Sequence, residues 1–471
     1  MSNINKFAKT SGVYFVGNFL TQVITFFLLP IYTKYIPPQD LGYFDLSVSY
    51  LNIIIPVVCF EIWAAIMRFM FDFVDKNEKY KAIFNGLIIF SISLCIYSAV
   101  ALSVNTFINV QYVLLIFLYG LFTMFMNIYS FIARGFGLNF AFAVSGVFGS
   151  IIYLVSNIVL IVIFKMGFKS LYISAIIGLL IQILFLEYKA NVLKNLSIKL
   201  FDFSIIKQIV KFAFPLSLNS ICFWFLMSYN RVFISNHFGL YENGLFAIAS
   251  RFAVALTLIA SCFSLAWQEL AFSKGSNSGE NKSLFYSKAS DYYLRFLFMG
   301  VVALIPIIKL IFSFLIDSAY SKAISIIPLF LLAIAASHYS NFYGNIFGAE
   351  KKTNVILYST LTAALVNVSV LYFSVGFFGL QVANISLLSG FIVNIIIRVL
   401  ILRKKIAIKI DIKFISFGAI LFVFVCYFYF KDDVILNFTI LILMLIISAF
   451  VFKDLIKKII FIILIKKRKN V

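Results

Sequence analysis

Four charged side chains lie inside otherwise apolar runs of this sequence, where charge is costly. Three are basic, Arg231, Arg251 and Lys309, and one is acidic, Glu61. Ionisable residues at membrane depth tend to face a bundle interior or a watery cavity, although long basic side chains can also reach the membrane surface. A cavity that held the three basic residues with no acid beside them would favour an anionic group such as a phosphate or pyrophosphate.

Glu61 has two interpretations, which the sequence leaves open. A carboxylate inside an apolar run can carry a coupled proton or sodium ion. It can equally form an ion pair with Arg68, which follows seven residues later on the same face of a helix.

Polar residues recur at helical spacing in two of the apolar runs. The first run carries Asn18 and Gln22, and a later run carries His338, Asn341 and Asn345, at steps of three and four. Such a stripe can line a cavity. It can also form hydrogen bonds between helices, typically worth under about 1 kcal/mol each.

Motifs for enzymatic chemistry are missing from the sequence. It has no GxxxxGK[ST] phosphate-binding loop, and its two histidines, His237 and His338, lie far apart and outside any cluster of metal-ligand spacing. The basic residues are spread over short loops, which argues against a nucleic-acid partner. We therefore expect a protein that is not an enzyme, with no cofactor and no metal site.

The elements that hold these residues are membrane spans. The chain is 63% hydrophobic and 12% charged, with a mean hydropathy of +1.04, whereas soluble domains are about 45–50% apolar and about 25% charged. Lipid offers no partner for open backbone groups, so spans are helical. The sequence predicts an all-α polytopic membrane protein with about fourteen transmembrane helices of roughly 20 residues. The predicted spans are 10–32, 43–67, 82–104, 112–133, 140–164, 170–188, 212–235, 244–268, 292–316, 324–347, 355–375, 380–402, 414–430 and 435–452.

The basic residues of the loops predict the orientation. If the amino terminus is cytoplasmic, roughly 31 Lys and Arg residues lie on the inner side and roughly five on the outer side, a strong positive-inside bias. The net charge of +21 mostly reflects this bias. We therefore expect both termini to be cytoplasmic.

Two loop blocks of the chain resemble each other without a gap. Residues 33–47 lie between the first two spans, and residues 235–249 lie between the seventh and eighth. A fainter match pairs Asn157 with Asn367. The blocks share an acid, a glycine two residues later and a small closing residue: Asp40 with Glu242, Gly42 with Gly244, and Ser47 with Ala249.

The repeat predicts the domain organisation. Six spans form an amino-terminal lobe over residues 1–190, a cytoplasmic linker covers 191–211, and six equivalent spans form a second lobe over 212–405. Residues 406–471 add the last two spans and a basic cytoplasmic tail. Because both lobes begin on the cytoplasmic side, their pseudo-symmetry axis runs along the membrane normal, as in some transporters with a site between halves.

Several motifs, taken in order, resemble the O-antigen and capsular-polysaccharide flippases of the Wzx type. That family belongs to the superfamily that includes the MATE multidrug exporters and the lipid II flippases. The resemblance covers the first twelve spans. The motifs that carry it are Leu28–Gly42 (LLPIYTKYIPPQDLG), Ala65–Phe71 (AIMRFMF), Asn230–Ser235 (NRVFIS), Gly239–Gly244 (GLYENG), Ala266–Gln268 (AWQ) and Gly348–Thr353 (GAEKKT).

The resemblance implies a MATE-like fold and a function. A polyprenyl-pyrophosphate-linked oligosaccharide would move from the inner to the outer leaflet by alternating access, for O-antigen, capsule or exopolysaccharide synthesis. The protein would lie in the bacterial cytoplasmic membrane, in contact with the lipid bilayer, with a polysaccharide polymerase and a chain-length regulator as further partners. Two positions depart from the family pattern: Asn230 stands where Asp is usual, and Gln268 where Pro often follows the Trp.

Two other functions stay open. An ion-coupled exporter of small molecules or drugs could have the same fold and use Glu61 for coupling. A membrane-embedded glycan polymerase is a third interpretation, although the short outer loops leave little room for a catalytic domain.

Overall fold

The computed structural model of the protein describes residues 19–24, 26–73, 75–108, 110–274, 280–350, 352–406, 408, 410–431 and 433–453. Every regular element in these ranges is helical.

The helices follow one another with short connections. In chain order they are α1 (Leu29–Tyr35), α2 (Pro38–Cys59), α3 (Ile62–Met70), α4 (Lys76–Ile108), α5 (Val113–Gly135), α6 (Asn139–Ile158), α7 (Lys169–Ala190), α8 (Phe203–Met227), α9 (Tyr229–His237), α10 (Leu240–Lys274), α11 (Glu280–Leu315), α12 (Ile327–Ala349), α13 (Thr353–Phe378), α14 (Val382–Ile406), α15 (Ile412–Tyr429) and α16 (Val434–Val451). Residues 19–24 are also helical, and Val159–Ile163 form a π-helical turn after α6.

Every predicted span after the first coincides with helix in the structure, and residues 10–18 and 25 of the first lie outside the described residues. Within the described ranges, ten helical stretches are long and apolar enough to cross a membrane, or eleven if the bent pair Ser318–Ser325 and Ile327–Gly348 counts as one span. The prediction of an all-α polytopic membrane protein is therefore confirmed. The number fourteen stays a prediction.

The second predicted span is not one helix. Phe60 and Glu61 have φ values of 50° and 58°, in the left-handed region that side chains rarely adopt. This pair ends α2, in which Pro56 has already removed one backbone donor, and α3 starts at Ile62. Hydropathy predicts one continuous span over 43–67 because it does not register backbone conformation.

The chain divides into two compact units. The first comprises Met1–Ile248 and Thr360–Leu387, and the second comprises Ala249–Ser359 and Leu388–Val471. The predicted lobes, 1–190 and 212–405, follow the sequence repeat rather than the packing, and their boundaries stay a prediction.

The first unit is held by close helix packing and by buried polar contacts. In α6 and α7, a Cβ atom on Gly178 would lie 3.0 Å from the carbonyl oxygen of Gly149, so these two helices approach closely through small residues. The Ser47 hydroxyl hydrogen-bonds the hydroxyl of Tyr172 at 2.7 Å, which joins α2 to α7.

The second unit packs α11 against α12, α15 and α16. Arg295 of α11 donates to Asp291 in its own helix at 2.9 Å and to Asp411 at 2.7 Å. Asp411 also caps α15, because its side chain accepts from the amide of Phe414 at 3.1 Å. One acid therefore links the start of α15 to α11.

Candidate functional site

The two repeat blocks contact each other through their glycines. Gly42 lies one turn into α2, which starts at Pro38, and Gly244 lies one turn into α10, which starts at Leu240. A Cβ atom on Gly42 would overlap the carbonyl oxygen of Leu240, and a Cβ atom on Gly244 would overlap that of Pro38. Pro38 and Leu240 are equivalent positions of the repeat, so the contact is reciprocal. Backbones this close require glycine on both sides.

We call this contact between Pro38–Asp45 and Leu240–Gly244 the glycine crossing. Its backbones are tied by a side chain, since the buried Asn243 donates from Nδ2 to the carbonyl oxygen of Gly42 at 2.7 Å. At its edge Arg231 of α9 donates from Nε to Asp45 at 2.6 Å, with the guanidinium 5.7 Å from the ring centre of Phe246. Close backbones and one amide thus join the two blocks, and the ion pair ties α9 to the first of them.

The ion pair corrects the expectation that Arg231 is a cation with no acid beside it. Asp45 lies 186 residues earlier in the chain, and the glycine crossing brings the two side chains together. Arg231 is therefore neutralised in this structure.

The other two predicted cations belong to the second unit. Arg251 is half-buried in α10. Lys309 of α11 has its Nζ atom 5.7 Å from the ring centre of Tyr429. A cargo-binding role for either residue stays a prediction.

The polar stripe of α12 lies on the less buried face of that helix. His338 Nε2 hydrogen-bonds Thr257 Oγ1 of α10 at 3.3 Å, Asn341 is exposed and Asn345 is half-buried. The opposite face is fully packed: the buried hydroxyl of Tyr343 lies 2.7 Å from that of Ser290. The His338 contact is a hydrogen bond between helices, the alternative that the sequence left open, and a cavity-lining role for Asn341 and Asn345 stays a prediction.

The first predicted stripe is only partly within the described residues. Gln22 is half-buried in the helical stretch 19–24, and Asn18 lies outside the described residues.

Glu61 lies at the break between α2 and α3 and does not pair with Arg68. Its Oε1 atom accepts from the Ser220 hydroxyl of α8 at 2.5 Å, and its Oε2 atom accepts from the Trp63 indole at 3.1 Å. Arg68 instead pairs with Asp72 at 2.5 Å, and both are about half exposed. The predicted Glu61–Arg68 pair is wrong because the left-handed pair of residues rotates Glu61 away from the helix face that carries Arg68.

Arg398 is one of the basic residues that the positive-inside count places on the inner side, but the structure buries it. Arg398 is only 3% exposed within α14. Its guanidinium donates to the Ser359 hydroxyl at 3.0 Å and to the Ser340 carbonyl at 2.7 Å. Its place at the end of an apolar run resembled a normal boundary residue, so nothing in the sequence distinguished it.

The contacts of Asn230 account for an Asn at this position, where the flippases that the sequence resembles usually have Asp. It is buried, its Nδ2 atom donates to the carbonyl oxygen of Ala383 at 2.6 Å, and its Oδ1 atom accepts from Asn367 at 2.9 Å. A carboxylate could not donate to Ala383, so this network needs an amide.

In the part of the chain that the structure describes, no group of three or more His, Cys, Asp or Glu side chains could hold a metal ion.

No protein-family model matches the chain, and no curated protein sequence does either. Solved structures do match. The lipid II flippase MurJ in an inward closed conformation aligns with a TM-score of 0.71 and 16% identity over 94% of this chain and 99% of its own. An inward-facing multidrug-resistance MATE family transporter aligns with a TM-score of 0.66 and 18% identity, over 82% and 94%. A MOP-superfamily transporter from Pyrococcus furiosus aligns with a TM-score of 0.58 and 18% identity, over 85% and 95%. The chain is thus an all-α, multi-pass membrane protein with the fold of the MATE transporters and MurJ.

Proposed function

We propose that the protein is a flippase that moves a polyprenyl-pyrophosphate-linked oligosaccharide from the inner to the outer leaflet by alternating access. In this proposal it lies in the bacterial cytoplasmic membrane with both termini inside. It acts with a polysaccharide polymerase and a chain-length regulator in O-antigen, capsule or exopolysaccharide synthesis.

The glycine crossing is the observation that carries the proposal. Two equivalent segments, each at the start of a helix, contact each other through backbone and one amide, with the Arg231–Asp45 ion pair at the edge. Such a contact is small and reciprocal, so it can separate as a unit when the protein opens. It is the kind of closure that alternating access requires at one end of a central pathway.

The charges inside the spans support an anionic cargo. Arg251 and Lys309 lie in apolar helices, and Asp45 is already engaged by Arg231. Guanidinium and ammonium groups bind pyrophosphate oxygens with strong, charge-assisted hydrogen bonds. An exporter of organic cations would instead need acids free to meet its cargo.

One observation favours an ion-coupled small-molecule exporter as the second candidate. Within the described residues, Glu61 accepts from two neutral donors, Ser220 and Trp63, and pairs with no basic residue. A carboxylate with neutral neighbours can exchange a proton or bind a sodium ion during a transport cycle. The same coupling would also serve a flippase, so the cargo decides between the two candidates.

A reconstituted transport assay tests the proposal. The protein is placed in vesicles with a fluorescent short-chain polyprenyl-pyrophosphate disaccharide, and a lectin reports the fraction that reaches the opposite leaflet. We expect movement of this lipid and no uptake of an organic dye cation. Dye transport without lipid movement would show that the exporter candidate is right.

Arg251 is the cation to change first. We expect Arg251→Ala to reduce lipid movement at least tenfold and Arg251→Lys to retain part of it, because a lysine preserves the charge but not the planar pair of donors. Protein level and monodispersity serve as controls. Full transport by the double variant Arg251→Ala with Lys309→Ala would contradict the anionic-cargo proposal.

A further inference from the structure

The connection between α7 and α8 exposes large apolar side chains where a cytoplasmic loop would be polar. Leu193, Ile198, Phe201 and Phe203 are between 54% and 85% exposed. They belong to the segment Asn191–Phe203, which we call the bridging segment and which lies between two membrane-spanning helices. Lipid contact is ordinary within a span, but these residues lie beyond the ends of α7 and at the very start of α8.

The bridging segment is fastened to the first unit rather than loose. The buried Asn85 of α4 donates to the carbonyl oxygen of Leu200 and accepts from the amide of Asp202, at 2.8 and 2.9 Å. Asn195 donates to the Tyr80 hydroxyl at 3.1 Å. These bonds hold the segment in one conformation, in which Val192 is buried in the core of the first unit. Leu193, Ile198, Phe201 and Phe203 stay exposed in the same conformation.

Basic residues alternate with the apolar ones. Lys194 and Lys199 are exposed within the bridging segment, and Lys189 lies just before it. The acids nearby are occupied by backbone amides. Glu187 accepts from Val192 and Leu193 at 3.1 and 3.0 Å, and Asp202 accepts from Ser204 at 2.9 Å. The segment therefore presents exposed apolar side chains and exposed lysines together.

We propose that the bridging segment binds the anionic headgroup layer of the inner leaflet. Its apolar side chains insert at the boundary between headgroups and acyl chains, and Lys194 and Lys199 contact lipid phosphates. Apolar side chains mixed with lysines are the composition of segments that lie in a membrane surface. Both neighbouring helices enter the same membrane, so the segment begins and ends at the surface it would bind. This inference does not depend on the nature of the cargo.

The test uses the full-length protein in lipid nanodiscs. A photoreactive phosphatidylglycerol with its reactive group near the headgroup reports lipid contact, and hydroxyl-radical footprinting reports water contact, both read by mass spectrometry. We expect peptides spanning 193–203 to be labelled by the lipid probe and protected from hydroxyl radicals. The segment Ser318–Ser325, which joins α11 to α12, serves as the loop for comparison.

A second experiment tests the contribution of the two lysine charges to lipid binding. The double variant Lys194→Gln with Lys199→Gln should lose its preference for the anionic over the zwitterionic probe, by about fivefold for each lysine removed. Lys322→Gln is the matched control and should change nothing in the bridging segment.

Three results would contradict the proposal. Strong hydroxyl-radical reaction at 193–203 without lipid labelling would place the segment in water. If neither the lipid probe nor hydroxyl radicals label residues 193–203, another part of the protein covers the bridging segment. If the double lysine variant keeps its preference for the anionic probe, the proposed phosphate contacts are wrong.

Discussion

Asp45 and Arg231 form an ion pair that lies mostly out of water, with side chains 21% and 19% exposed. Removing one partner leaves the other charge without compensation in a poorly hydrated place. We expect Asp45→Asn to weaken the glycine crossing by about 1–3 kcal/mol and to lower both thermal stability and transport.

The exchanged pair Asp45→Arg with Arg231→Asp separates this effect from a general loss of packing. A double-mutant cycle on the melting temperature should show coupling between the two positions. Additive losses would mean that the ion pair contributes nothing by itself.

Glu61 makes two hydrogen bonds as an acceptor, at the left-handed break between α2 and α3. If it carries the coupling ion, Glu61→Gln should make transport insensitive to the proton or sodium gradient while the protein remains stable. Gradient dependence is measured in vesicles with and without an imposed ion gradient.

Arg68 offers a matched control for this variant. Its only described ion pair is the exposed contact with Asp72, and such surface pairs contribute about 0–1 kcal/mol. Arg68→Gln should therefore change neither coupling nor stability. A Glu61→Gln protein that still responds to the gradient would make Glu61 a structural residue.

At the scale of elements, the starts of α2 and α10 depend on two glycines. A valine side chain at Gly244 would overlap the carbonyl oxygen of Pro38. Because this oxygen belongs to the backbone, it cannot move aside as the end of a flexible side chain can. Overpacking of this kind costs about 1–3 kcal/mol, or roughly 5–150-fold in the population of the closed form. We expect Gly244→Val, and Gly42→Val alike, to reduce transport to that degree.

Gly376 is the control position for the two glycine variants. It lies in α13 of the same unit, and a Cβ atom there would have nothing within 4 Å. Gly376→Ala should be neutral or stabilising by about 0.5–1 kcal/mol, because alanine is the better helix former. Normal transport by Gly244→Val would show that the crossing is not a closure.

At the scale of the whole molecule, the positive-inside bias predicts which ends of the helices meet the cytoplasm. Reporter fusions after Gly42 and Asp432 should read outside, and fusions after Lys199 and Lys404 should read inside. The measurement is the ratio of a periplasm-active to a cytoplasm-active reporter. An outside signal at Lys199 would contradict the two-lobe organisation.

The fold class could be predicted from the sequence for one physical reason. Lipid excludes open backbone polar groups, so an apolar run of span length has to be a helix whatever its neighbours are. Residues 43–67 illustrate the limit, because hydropathy located this span but not its break at Phe60–Glu61. The matched glycines and acids of the two loop blocks were likewise visible, but their mutual contact was not.

Composition and spacing alone determined the membrane class and the positions of the helices. Only the tertiary structure decided which charges meet. It paired Arg231 with Asp45, turned Glu61 from Arg68 to Ser220 and buried Arg398. The reason is that hydropathy and periodicity are local properties, set within a few turns of a helix. An ion pair between residues 186 positions apart exists only after the helices have packed.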